Sequence, residues 1–143
     1  MRRAAALALA FALLAVPLSA CGERDEPEIE ATTAESQFEI TGEWKGRLTQ
    51  KGLKPFTVTA TIVSLERSKQ NVVRYTGINC SGTWDYLGAT ATAYRFREVI
   101  DRGQGGKCKG VGTVALTPLT DDRVGYVFNG GGITSEGVLN RQS

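Results

Sequence analysis

The chain of 143 residues contains no histidine, only three cysteines and one methionine, and four prolines. Without histidine, the commonest general base, the commonest metal ligand and every Ser-His or Cys-His nucleophile pair are excluded. No apolar run reaches the ~20 residues that a membrane-spanning helix requires. No segment carries a helical period, and no Lys/Arg cluster alternates with aromatics as nucleic-acid grooves do. What is present is 41% apolar, 8% aromatic and 22% charged residues. That composition excludes a fully disordered chain and suits one folded domain.

Arg2 and Arg3 precede an apolar run from Ala4 to Val16, which Pro17 breaks before a stretch of small residues. The pattern reads as a secretory signal peptide over residues 1–20. Leu18-Ser19-Ala20-Cys21 resembles the lipobox of bacterial lipoproteins. The resemblance implies cleavage before Cys21 and a diacylglyceryl group on its sulfur, anchoring the protein on the extracytoplasmic face of the cell membrane. Two acyl chains suffice for stable anchoring where one is marginal. Lipidation of Cys21 leaves Cys80 and Cys108 as an even pair in an oxidising compartment. They are expected to form a disulfide, with two separate buried thiols as the alternative.

Residues 21–37 hold six acids against the single base Arg24 and show no apolar periodicity. They read as an acidic, disordered tether extended by its own repulsion. From Phe38 onward, nine acids face 14 bases, a surplus of five positive charges. The domain is mildly basic, which suits solubility or attraction to anionic envelope polymers.

Beyond Ile40 the pattern has period two. Phe56, Val58, Ala60 and Ile62 alternate with Thr57, Thr59 and Thr61, as in a half-buried strand. Further strands are predicted over 43–50, 71–77, 80–87, 89–100, 110–117, 123–129 and 134–141. Turn chemistry separates them at Lys51-Gly52, 68–70, Asn79, Leu87-Gly88, 103–106, Pro118 with Asp121-Asp122, and 129–132. Eight strands at hairpin spacing over 38–143 predict an all-β domain, an antiparallel up-and-down barrel or, alternatively, a β-sandwich. Closure is favoured because it removes exposed edges.

Gly42-Glu43-Trp44 resembles the Gly-x-Trp opening of lipocalin-like barrels. In that group the tryptophan plugs the closed end and a late arginine packs over it, which implies a pairing of Trp44 with Arg141. The stretch from Gly42 to Arg141 also resembles a small extracytoplasmic domain of actinobacteria that occurs alone or as the outer domain of membrane-anchored serine/threonine kinases. The similarity rests on Gly42-x-Trp44-x-Gly46, Gln50, Tyr75, Cys80-Ser81-Gly82, Tyr94-x-Phe96-x-Glu98, Ile100, Gly103, Cys108, Gly112-x-Val114-x-Leu116 and Gly137-x-Leu139-x-Arg141. It implies a Cys80 to Cys108 bridge and a sensory or binding role. Kinase activity does not carry over, because the kinase motifs are missing.

Glu98 shares the inward parity of Tyr94 and Phe96 near the end of its strand, where a rim carboxylate would orient a ligand. Its structural alternative is an ion pair with Lys107, Lys109 or Arg74 that fixes register. Asp85, between Trp84 and Tyr86, points the other way, so no facing carboxylate pair of the glycosidase type is defined. Gly103 to Gly110 lacks both the first glycine and the Ser/Thr of a phosphate loop. Trp84, Tyr86, Tyr94, Phe96, Tyr126 and Phe128 form i, i+2 aromatic pairs on three strands and are read as core; the alternative is an aromatic-lined ligand pocket, with Trp84, Tyr86, Tyr94 and Phe96 beside Glu98. The expected function is non-catalytic, with no cofactor, metal or nucleic acid. A lipid-anchored domain binds a ligand or partner at the cell envelope, or else serves as a solid interaction module without a small ligand.

Overall fold

The computed structural model describes residues 38–66, 71–103, 107–108 and 110–143. The expected signal peptide, Cys21 and the tether lie outside the described residues, as does Lys109. Eight strands follow one another: β1 (Gly42–Gln50), β2 (Phe56–Ile62), β3 (Asn71–Thr76), β4 (Cys80–Ala89), β5 (Tyr94–Arg102), β6 (Val111–Thr120), β7 (Arg123–Gly130) and β8 (Ile133–Arg141). Each pairs antiparallel with the next, and β8 returns to β1, so the sheet is a closed eight-stranded up-and-down barrel. Closure rules out the sandwich alternative, since no strand is left with an open edge.

Alternation drives this architecture. In β2 the buried residues Phe56, Val58, Ala60 and Ile62 alternate with partly exposed threonines. Gly131 and Gly132, at φ 57° and 77°, make the tight turn between the paired Gly130 and Ile133. Positive φ at both central residues gives a twist that matches the flanking strands.

Two turns fall elsewhere than the sequence predicts. Leu87-Gly88 is not a turn but a register shift inside β4, with Gly88 at φ 129°. The reversal comes at 90–93, where the Thr90 hydroxyl accepts from the Thr92 and Ala93 amides. The alternation of Ala and Thr there mimics a strand, but threonine's local hydrogen bonding wins. Pro118 likewise lies within β6, beside another register shift, and only Asp121-Asp122 turn the chain. A bulge is where a ladder tolerates a missing amide hydrogen.

Glycines let the small barrel close. A Cβ on Gly82 would overlap the Val99 carbonyl oxygen and lie 2.9 Å from Ile100 Cα; one on Gly46 would overlap the Val138 carbonyl oxygen. Both positions have inward parity, and the neighbouring strand approaches each more closely than a side chain allows. Gly82→Ala is expected to cost about 1–3 kcal/mol through forced strand displacement. Urea unfolding would measure it, and an unchanged midpoint would show that the close approach does not depend on the missing Cβ.

The chain entry seals one end. Phe38 stacks 6.0 Å from Trp44, and its carbonyl accepts a hydrogen bond from the Tyr94 hydroxyl at 2.8 Å. Trp44 Nε1 donates to the Ile40 carbonyl at 2.8 Å. The Arg141 guanidinium lies 4.4 Å from the Trp44 ring centroid and donates to the carbonyls of Thr41, at 2.7 Å, and of Glu39. Cation–π attraction and satisfied backbone carbonyls therefore act at one residue. At the other end Cys80 and Cys108 form a disulfide with Cα atoms 6.4 Å apart, joining the start of β4 to the connection between β5 and β6.

Candidate functional site

The interior is aromatic with one polar centre. Trp84 from β4 lies between Phe96 of β5 and Tyr126 of β7, with ring centroids 5.5 and 6.1 Å away. Trp84 and Glu98 are direct cross-strand partners, which brings the indole and the carboxylate together. Trp84 Nε1 donates to Glu98 Oε2 at 2.8 Å, and the Tyr75 hydroxyl of β3 donates to the same oxygen. Tyr75 and Tyr126 share a hydroxyl contact of 2.9 Å. Because Tyr75 gives its proton to the carboxylate, Tyr126 is the donor in that contact, and the order is Tyr126 to Tyr75 to Glu98.

Burial pushes the Glu98 carboxyl above the usual carboxylate range, partly offset by the bonds from Tyr75 and Trp84. The Tyr75 and Tyr126 hydroxyls are pushed well up, first by burial and then by the neighbouring acid groups. Both hydroxyls therefore stay protonated and act as donors at neutral pH.

The expected ion pair of Glu98 is replaced by this neutral hydrogen-bonding set. Arg74 alternates with buried Val73 and Tyr75, so its parity sends it to solvent. Among the described residues the one ion pair joins Arg97 to Asp85 at 3.8 Å, on the outer surface. Nor is Glu98 at the rim: it sits mid-strand and only 3% exposed. Trp84 and Phe96 are fully buried core, Tyr86 packs 5.5 Å from Phe96, and Tyr94 belongs to the sealed end. The sequence-selected cluster thus divides between the middle of the core and one end.

A recess of about 20 Å³ opens at the disulfide end, bordered by Glu98, Tyr75, Tyr126, Phe128, Lys107 and Cys108 among others. It has room for about one water molecule. Next to it Ser135 donates to Gln50 Oε1 at 2.6 Å, linking β8 to β1. Buried Asn71 accepts from the Val63 and Ser64 amides and donates to the Trp84 carbonyl, which fastens the exit of β2. Parity along β3 was the signal that could have picked out Tyr75 as an interior hydroxyl. Asn71, Gln50 and Ser135 had no local signal, since each is one of many polar residues.

Fold and core together define a closed antiparallel barrel of lipocalin-like architecture, with a packed interior around a hydrogen-bonded carboxylate and a disulfide across one end. The chain matches no protein-family model and no curated protein sequence.

Proposed function

We propose that this is a lipid-anchored, non-catalytic protein of the bacterial cell envelope whose barrel meets a partner with its outer surface, not with its interior. The carrying observation is the recess of about 20 Å³. Sites for small organic ligands take about 300–1,000 Å³. The aromatics that would line such a pocket are spent on one another, as the packing of Trp84 against Phe96 and Tyr126 illustrates. Cys21, in its lipobox-like context, is the proposed anchor, and the acidic segment that follows is the proposed spacer.

Two measurements test the reading. Cys21→Ala, or inhibition of lipoprotein signal peptidase, should move the protein from the membrane fraction to the soluble one; unchanged membrane retention would count against lipidation. Titration with hydrophobic fluorescent probes should show no saturable uptake, and quenching of Trp84 by a stoichiometric interior ligand would sink the outer-surface reading.

A further inference from the structure

Strand register assembles an ordered set of charges on the outside of the barrel. Following cross-strand partners in one direction, Arg123 pairs with Asn140, Asn140 with Lys45, Lys45 with Thr59, Thr59 with Arg74, Arg74 with Ser81, and Ser81 with Arg102. Seven strands therefore contribute one residue each to a row, basic on β7, β1, β3 and β5 and neutral and hydrogen-bonding on those between; its last step, from Ser81 to Arg102, crosses a register shift at which Asp101 is the extra residue. All four bases are exposed. The row starts near the sealed end, at the beginning of β7, and finishes at the disulfide end on the last residue of β5. It is a spiral belt, because strands in a closed barrel are staggered and tilted.

A purely structural row would be expected to alternate in sign, since opposite charges on neighbouring strands attract. This row has no acid in it, and no carboxylate lies within ion-pair distance of any of its four bases among the described residues. Acids adjoin it in the chain at three places: Glu43 along β1, Asp101 at the register shift before Arg102, where it accepts from Ser81 at 3.4 Å, and Asp121-Asp122 in the turn before Arg123. The stretch from Lys45 to Arg102 is accordingly its most positive part. There Arg74, Ser81 and Arg102 border a surface groove of about 250 Å³, with Thr76 and Asn79 on its walls.

From this juxtaposition we infer that the belt binds a flexible linear polyanion, a polymer carrying repeated phosphate or carboxylate groups, along Lys45, Thr59, Arg74, Ser81 and Arg102. The inference rests on the outer-surface reading above and names its partner. Neighbouring strands lie about 4.8 Å apart, so successive bases are about 10 Å apart at the backbone. They occupy alternate strands of a closed eight-stranded barrel, about a quarter-turn from one to the next. A flat membrane can touch no more than two of them at once, whereas a flexible chain can follow all. Between the bases the Thr59 hydroxyl supplies a hydrogen bond to anionic oxygens without adding repulsion, while the Ser81 hydroxyl is given to Asp101. The row contains no aromatic residue, so it lacks the stacking platform that single-stranded nucleic acid uses.

The test uses the mature protein in neutral detergent with three probes: long-chain inorganic polyphosphate, polygalacturonate and anionic lipid vesicles. Wild type should bind one or both polymers with strong salt dependence, and which polymer binds distinguishes phosphate from carboxylate recognition. The variant Lys45→Gln/Arg74→Gln/Arg102→Gln should lose about tenfold in affinity at low salt, and the slope of log K against log salt should fall by about two. A control, Lys51→Gln/Lys54→Gln/Arg95→Gln, removes the same charge away from the belt and should keep nearly full affinity. Unfolding midpoints of both variants check that the fold is intact; should the triple belt variant be misfolded, Arg74→Glu alone should reproduce the loss. Equal losses in belt and control variants would overturn the belt in favour of diffuse net charge. So would binding of vesicles but not polymers, or tighter binding of oligothymidylate than of polyphosphate. Absence of all polymer binding would remove the belt and leave the outer-surface reading to the interior-probe titration, which fails or succeeds separately.

Discussion

Removing the Cys80–Cys108 bridge, as the double variant Cys80→Ala/Cys108→Ala, is expected to destabilise the barrel by about 3–4 kcal/mol. The two residues are 28 positions apart, and a crosslink over that span restricts the unfolded chain by about that amount in the chain-entropy account. Small domains have only about 5–15 kcal/mol in hand, so the melting temperature should fall by about 15–25 °C. The loss should also be uneven in space. Cys108 borders the recess at this end and ties the connection between β5 and β6 to β4, so its release should raise hydrogen exchange first around Cys80, Ile100 and Gly110. Ile100 donates its amide to the Gly110 carbonyl at 2.8 Å, a bond that directly reports the closure of this end. Melting of the double variant within a few degrees of wild type would show that the barrel does not depend on the staple.

Glu98→Leu is the second large effect. It leaves the Trp84 indole and the Tyr75 hydroxyl buried without their shared acceptor. Each unmatched buried donor costs about 1–3 kcal/mol, so a loss of about 2–5 kcal/mol is expected. Glu98→Gln behaves differently, because the amide oxygen still accepts from both donors while the charge is gone. The sign of the pH effect follows from the raised carboxyl. In the folded protein Glu98 holds its proton at pH values where the unfolded chain has lost it. Its contribution to stability is therefore complete below the ordinary glutamate pKa, about 4.3, and is lost as pH rises through the elevated folded value. Urea midpoints of wild type should decline across that window relative to Glu98→Gln. Parallel pH profiles for the two proteins would show that burial does not perturb the carboxyl.

Much of the architecture was legible because alternation is a local property. Phe56 to Ile62 displays the inward face of β2 without reference to any other strand, and the even pair of cysteines left by Cys21 pointed to the bridge that is found. Errors arose where local chemistry imitates another pattern. Ala89 to Ala93 alternates like a strand but turns on the Thr90 hydroxyl, and Gly88 looks like a turn but sits in a bulge. Glu98 was recognised as an inward acid, yet its partners were not, because parity says which way a residue points and nothing about what lies across the barrel.

By itself, the amino-acid order determined the number of strands, their faces, the polarity of the surface and the absence of histidine chemistry. These depend on residues one or two positions apart and on composition. Only the tertiary structure decided that Tyr75, Trp84 and Tyr126 gather round Glu98, that they leave a recess of only about 20 Å³ beside it, and that Lys45, Arg74 and Arg102 fall into one row. Those outcomes depend on the stagger between strands and on how side-chain volumes sum across the barrel. Both are set by closure between residues as distant as Trp44 and Arg141, and no local period encodes them.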